Sequence, residues 1–360
     1  MRFAVLFLLI AQASTAQTGL QVENSHSTES LRGVSVVSRD IAWASGTHGT
    51  YLRTTDGGQT WTPGQVPDAT TLDFRGVAAF SADEAFLMSS GPGELSRIYH
   101  TRDAGRHWML QLLNADPKGF FDSIAFWDST HGVVLGDPVP DDAGTLKFEI
   151  LLTEDGQNWR RVSTTTLPAA KEGEGAFAAS NTCIAILPGI TDSNIWFATG
   201  GKVARVFHSA DRGKSWQVSD TPIVHGPESA GIFSIAFRDA MHGVIAGGDY
   251  KRPSDDGANL AFTDDGGKTW GLSGTHPQVY FSAAVYERKV QDGAHGVEAK
   301  TSSPRLLLVG QDFVLDLRPH KKPRRIRPKK GSEMKFNAAS ACLAGGALVV
   351  GSKGAVAAVP

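Results

Sequence analysis

Five carboxylates recur in this sequence inside one short pattern. Thr54-Thr55-Asp56-Gly57-Gly58-Gln59-Thr60-Trp61 returns as Thr101-Arg102-Asp103-Ala104-Gly105-Arg106-His107-Trp108. It returns again as Ser209-Ala210-Asp211-Arg212-Gly213-Lys214-Ser215-Trp216 and Thr263-Asp264-Asp265-Gly266-Gly267-Lys268-Thr269-Trp270. A fifth copy, Thr153-Glu154-Asp155-Gly156-Gln157-Asn158-Trp159, is one residue shorter between Asp and Trp. A carboxylate can serve hydrolysis when a second one faces it across a cleft. It can also accept backbone N–H groups and hold a turn. The neighbouring residues favour the turn: the Gly supplies a backbone conformation costly to other residues, and the Trp buries a large ring while its N–H seeks a partner. Asp56, Asp103, Asp155, Asp211 and Asp265 are therefore expected to be architectural, and no catalytic residue is assigned.

Other chemical signatures are weaker. Gly173-Glu174-Gly175-Ala176-Phe177-Ala178 matches a loose dinucleotide fingerprint, with Asp192 about twenty residues on, but that motif needs a strand before it and a helix after it. Here a Thr-rich segment containing Pro168 precedes it, and strand-like residues follow. The eleven histidines show no tight metal spacing. Neither a metal nor a cofactor is expected. Cys183 and Cys342 fall in the inner strands of distant repeats, so two buried thiols are expected rather than a disulfide.

The elements that position these residues follow from the repeat. Successive box Asp positions lie 47, 52, 56 and 54 residues apart. Phe121-Asp122-Ser123-Ile124-Ala125-Phe126 and Ile232-Phe233-Ser234-Ile235-Ala236-Phe237 open two repeats, followed at the same offset by His131-Gly132-Val133-Val134-Leu135-Gly136 and His242-Gly243-Val244-Ile245-Ala246-Gly247. The first repeat runs Leu31-Arg32-Gly33-Val34-Ser35-Val36, then Ile41-Ala42-Trp43-Ala44-Ser45-Gly46. Short apolar or alternating runs bounded by Gly, Asp and Ser are strand signatures. Each repeat thus reads as four strands with the box between the third and fourth. Repeats open near residues 31, 74, 121, 177, 232, 280 and 334, the last two without a box, and their length suits propeller blades. The expected fold is all-β, a single seven-bladed β-propeller over residues 17–360. The last repeat supplies three strands, so residues 20–27 are expected to add its outer strand and close the ring.

Composition agrees. The chain has 360 residues, 41% hydrophobic and 20% charged, with 40 glycines that suit many tight turns. A formal net charge of −2 gives no field that would commit it to nucleic acid. Met1-Arg2, the apolar run Phe3 to Ala11, and small residues before Gln17 have the layout of a secretory signal peptide over residues 1–16. Export to the periplasm or beyond is expected, with no membrane-spanning segment in the mature chain.

The boxes, their spacing and the sevenfold count resemble the Asp-box (bacterial neuraminidase) repeat superfamily, and within it the photosystem II stability/assembly factor family. The likeness covers essentially the whole mature chain. It implies an exported, non-enzymatic scaffold that binds a protein partner during assembly of a membrane complex; a monomer is expected. Sialidases share the motif, which makes a sialidase-type glycoside hydrolase the alternative and an oxidoreductase a more distant one. A sialidase needs three arginines gripping a carboxylate, a Tyr–Glu pair and an acid/base Asp. The usual Arg-Ile-Pro ahead of the first box is replaced by Leu31-Arg32-Gly33-Val34, and Tyr286-Glu287 are adjacent residues whose side chains diverge on a strand.

Two candidate surfaces remain. Blade-connecting loops and second-to-third-strand loops share one face of a propeller, and insertions fall there at residues 89–97, 137–146 and 247–260. Arg75, Asp122, Asp137, Glu174, His225, Glu228, Asp249 and Tyr250 are the candidate binding residues of that face. Residues 318–330 hold eight cations and no acid: Arg318, Lys321, Lys322, Arg324, Arg325, Arg327, Lys329 and Lys330. Their prolines favour an extended, solvated segment between the sixth and seventh repeats, suited to an acidic partner or anionic surface.

Overall fold

The computed structural model describes residues 19–187, 189, 191–255, 257–274, 279–287, 305–329, 331–342 and 345–360. The signal-like residues 1–16 and Lys330 lie outside them. Seven antiparallel sheets follow one another along the chain. Blade 1 comprises Leu31–Val36, Ala42–Gly46, Thr50–Thr54 and Thr62–Gln65; blade 2, Asp73–Ala79, Ala85–Ser90, Arg97–Thr101 and Met109–Leu113. Blade 3 comprises Phe121–Phe126, Gly132–Pro140, Leu146–Thr153 and Trp159–Arg161; blade 4, Ile184–Ala185, Ile195–Ala198, Arg205–Ser209 and Gln217–Asp220. Blade 5 is Ala230–Phe237, Gly243–Asp249, Leu260–Thr263 and Gly271–Leu272, and blade 6 is Ala283–Tyr286, Leu306–Val309, Val314–Leu317 and Arg324–Ile326.

Blade 7 takes Phe336–Ala341, Ala347–Gly351 and Val356–Val359 from the C-terminus and its outer strand, Gln21–Glu23, from the N-terminus. Val22 pairs with Ala357, so the first strand of the chain closes the ring as the strand count requires. Full closure leaves each blade only a short outer edge. Among the described residues the only helical elements are two 3-10 turns, Gly93–Leu95 and Ser352–Gly354, and no helix is long and apolar enough to cross a membrane.

The apolar core is divided among the interfaces between neighbouring blades. The Trp43–Leu87 cluster joins blades 1 and 2, the Phe148–Phe197–Phe207 cluster joins blades 3 and 4, and the Leu307–Val349 cluster joins blades 6 and 7. Each box tryptophan packs into the interface with the preceding blade. Trp61 sits with blade 7, Trp108 with blade 1, Trp159 with blade 2, Trp216 with blade 3 and Trp270 with blade 4. The inner strands are laced by serines: Ser35 Oγ accepts the N–H of Ala79 and Ser234 Oγ that of Ala284.

The boxes hold their turns as the residue types dictate. In the full-length copies one carboxylate oxygen accepts the backbone N–H four residues on, at 2.9 Å for Asp56–Thr60 and 2.8 Å for Asp211–Ser215. The opening hydroxyl accepts the glycine N–H, as Thr54 does from Gly58 at 3.0 Å. Gly213 and Gly267 sit at φ +81° and +89°, backbone that a side chain would strain. In the shortened box Asp155 accepts from Asn158 instead, at 2.7 Å, so the clamp survives the missing residue. Backbone and side-chain bonds from His107 hold the Asp103 carboxyl down at about 2.

Three features differ from the sequence expectation. Blade 4 was to open near residue 177, but its inner strand begins at Ile184, and the residues before it serve the ring centre. Residues 318–329 are no extended linker: they contain the turn after Val314–Leu317 and the outer strand Arg324–Ile326, held by the buried Ile326. Cys183 is buried as expected, whereas Cys342 is only half-buried, and both thiols are free. The glycine fingerprint leads to no helix: Glu174–Gly175 pairs with the short strand Gly200–Gly201.

Candidate functional site

In an antiparallel four-stranded blade the first-to-second and third-to-fourth turns lie at one end, and the second-to-third loops and blade connectors at the other. The boxes occupy the first end. The second end is shaped by a bulge repeated at the start of the inner strands. Register shifts occur between Leu31 and Gly33, Phe74 and Gly76, Phe121 and Ser123, Ile232 and Ser234, and Phe336 and Ala338. A bulge leaves one residue outside the ladder and re-aims its side chain. The released residues are Arg32, Arg75, Asp122, Phe233 and Asn337.

Residues 176–182, in the connector from blade 3 to blade 4, run across this end. Ala176 N–H donates to Asp137 Oδ1 at 2.9 Å, and Ala178 O accepts Arg75 Nη1 of blade 2 at 3.0 Å. Phe177 stacks on Phe233 of blade 5, with centroids 3.9 Å apart. Ser180 Oγ donates to Ser282 O beside blade 6 at 2.7 Å. Asn181 Oδ1 accepts the N–H of Ile124 at 2.8 Å, and Thr182 O accepts that of Ile235 at 2.8 Å. One segment therefore touches blades 2, 3, 5 and 6, which it can do only by crossing the middle of the ring. Gly76 makes room for it: a Cβ there would stand 2.9 Å from Asn181 Oδ1.

The candidate residues divide around this strap. Arg75, Asp122 and Asp137 gather beneath and beside it. Arg75 Nε donates to Asp73 Oδ2 at 2.9 Å, and Arg32 Nε lies 3.4 Å from the other oxygen of Asp73. Asp122 is 1% exposed, and neither of its carboxylate oxygens has a hydrogen-bond partner. Burial, reinforced by Asp137, pushes its carboxyl well up; Asp137, also buried, is pushed up to about 6. Such shifts mark carboxyls whose charge the surroundings do not compensate.

Glu174 is no surface binding residue. It is buried against Arg205, donor to both of its oxygens, and Thr199 Oγ1. Asp249 is spent on its own loop and the neighbouring connector, accepting from Arg252 Nε and Lys251 N–H, each at 2.9 Å, and from the Ser229 hydroxyl. Tyr250 is 46% exposed, its ring edge-on to Phe233. His225 and Glu228 face solvent on the connector between blades 4 and 5. Arg32, Asp73, Phe177, Asn181 and Phe233 escaped the sequence reading. A signal for Arg32 was present: Arg32-Gly33 and Arg75-Gly76 hold the same place in successive repeats.

The basic segment lies elsewhere. Arg318 and Arg324 reach Asp316 at 3.1 and 3.2 Å, and Arg325 and Arg327 cover the ring of Phe313. Lys321, Lys322 and Lys329 extend into solvent. Glu287, half of the adjacent Tyr–Glu pair, is taken by Arg305 at 3.1 Å and the N–H of Gly346. Tyr286 lines a separate cleft between blades 5 and 6 with Phe262, Leu272 and Leu317.

The sequence model of the family described as photosynthesis system II assembly factor YCF48 matches residues 12–119. The likeness read from the boxes is to the YCF48 assembly factors. The YCF48 match takes in blades 1 and 2, where the Arg32–Asp73–Arg75 group stands. A solved structure of YCF48 bound to a D1 peptide is 17% identical, with a TM-score of 0.61, covering 96% of this chain and 98% of that one. Similar scores come from propellers of other kinds. Virginiamycin B lyase from Staphylococcus aureus, in a catalytically inactive form with quinupristin, is 12% identical at TM-score 0.61, covering 94% of this chain and 98% of that one. The WD40 propeller domain of Doa1 is 11% identical at 0.58, covering 96% and 97%. At such identities the likeness shows the fold alone. No curated protein sequence matches the chain.

Proposed function

We propose that this chain is an exported, non-catalytic propeller that binds a protein partner during assembly of a membrane complex, in the manner of photosystem II assembly factors. The observation that carries the reading is the bulge-and-strap end of the ring. It presents paired arginines, an exposed tyrosine and a connector segment on a rigid frame, while the carboxylates the repeat supplies are spent on its turns. Loops fixed on a rigid scaffold suit recognition. The YCF48 profile match over blades 1 and 2, and the D1 peptide held by a solved YCF48, support a peptide or protein as the ligand. The signal-like residues 1–16 support export to the periplasm or beyond, and the basic turn of blade 6 supports an acidic partner or anionic surface alongside.

The test is capture of partners from a detergent-solubilised envelope fraction by the tagged mature chain and by an Arg32→Ala, Tyr250→Ala variant of unchanged melting temperature. A membrane protein retained by the first and lost by the second is expected. Turnover of a fluorogenic sialoside, abolished by changing one buried acid of the ring centre, would overturn the reading in favour of a hydrolase.

A further inference from the structure

The strap and the orphan carboxyl beneath it belong to one arrangement. Asp122 is the bulged residue of the blade 3 inner strand, 1% exposed, with both carboxylate oxygens buried and unpartnered. An uncompensated buried carboxylate is costly, and the usual resolution is to keep a proton. Asp137, from the second strand of blade 3, opposes its charge most strongly, and Glu149 of the third strand opposes it less. Glu149 already accepts from Asn114 Nδ2 and Arg161. The Cys183 thiol, at the foot of the strap, is pushed up by burial and then by Asp122, so it stays neutral. Among the described residues Arg75 is the cation that offsets this charge, and it is already committed to Asp73 and Ala178 O. Among the described residues no group of three acidic, histidine or cysteine side chains is placed to hold a metal. A proton is therefore what balances the pair.

We propose that residues 176–182 form a proton-dependent strap, closed over the ring centre while Asp122 and Asp137 share at least one proton and released when both carboxyls are charged. The strap is fastened to this acid pair directly, through Ala176 N–H on Asp137, and to the cation that acts on Asp122, through Arg75 on Ala178 O. Ionising both acids leaves two negative charges in a buried site with one shared arginine. Water must then enter, and the covering segment is what can move without opening a blade. Release exposes both carboxyls and frees one guanidinium N–H of Arg75. The direction follows from the raised carboxyls: closure is favoured at lower pH and lost as pH rises through Asp137, at about 6, and then through Asp122. Release would regulate the face assigned above, but the claim needs no partner, so it can fail while the binding function stands, and the reverse.

Hydrogen–deuterium exchange of the mature chain tests it, read at pH 5 and pH 8 after correction for the intrinsic rate. Peptides covering residues 176–182 should lose at least tenfold in protection at pH 8, while the inner strands of blades 1 and 7 stay protected. Asp122→Asn should keep the strap protected at both pH values, and Asp137→Asn, an independent way to remove one charge, should do the same. Equal wild-type protection at both pH values would overturn the proposal. So would a folded variant of either kind losing protection at pH 8 as the wild type does.

Discussion

The indole Nε1 of Trp61 donates a 2.8 Å hydrogen bond to Oε2 of Glu23, so the box of the first blade clasps the outer strand of the last. The two residues are 38 apart in sequence and belong to sheets that meet only when the ring is closed. Leu20 adds an apolar contact in the blade 6–7 core. Trp61→Phe keeps the ring and removes the donor from a half-buried carboxylate, an expected loss of about 1 kcal/mol in urea unfolding. Deleting residues 17–27 removes the whole strand and should lower the melting temperature much further; an unchanged value would refute closure by this strand.

The box carboxylates make a prediction about acid. Asp103 and Asp265 are held near 2, below the ordinary carboxylate value of about 4, the first by bonds from His107 and the second by Thr269 despite its partial burial. A depressed folded value means stabilisation that is complete above about pH 4 and lost as pH falls through about 2. Melting temperature should therefore fall steeply between pH 4 and pH 2. Asp265→Asn, which keeps one acceptor, should flatten part of that slope.

Gly76 tests the crossing of the ring centre. Gly76→Ala places a Cβ 2.8 Å from the Ile124 side chain and 2.9 Å from Asn181 Oδ1, so the strap must shift. The change should destabilise by about 1–3 kcal/mol, and limited proteolysis should cut within residues 176–182. Resistance equal to that of the wild type would mean the strap does not pass there.

Much of this architecture was legible in residue order. The Asp, Gly and Trp of each box report a local turn, and local geometry is what spacing encodes. Ring closure was legible too, because a blade three strands long needs a fourth. The strap was not. Phe177, Ala178 and Ser180 read as the start of a strand, and what they touch — Phe233, Arg75 and Ser282 — lies 56, 103 and 102 residues away. Glu174 looked like a surface acid because its partner Arg205 is 31 residues distant. In the basic segment, the lone apolar residue Ile326 was the mark of a strand among charges, outweighed by the prolines around it.

The basic turn of blade 6 gives a salt-dependent expectation. Lys321, Lys322 and Lys329 project into solvent with no acid in their segment. Co-sedimentation with phosphatidylglycerol vesicles should be strong at about 0.01 M salt and largely lost at about 0.5 M. Replacing these three lysines with alanine should weaken it at low salt. Binding indifferent to both changes would leave the segment with no electrostatic role.

The central claim is that the bulge-and-strap end of the ring recognises a protein. Its most direct test is cross-linking from photo-reactive residues placed at Tyr250 and, as a control, at Lys214 in the box of blade 4, in cells expressing the full chain. One membrane-complex subunit joined to position 250 and absent from position 214 is the expected result. Equal labelling of both positions, or none at 250, would contradict it.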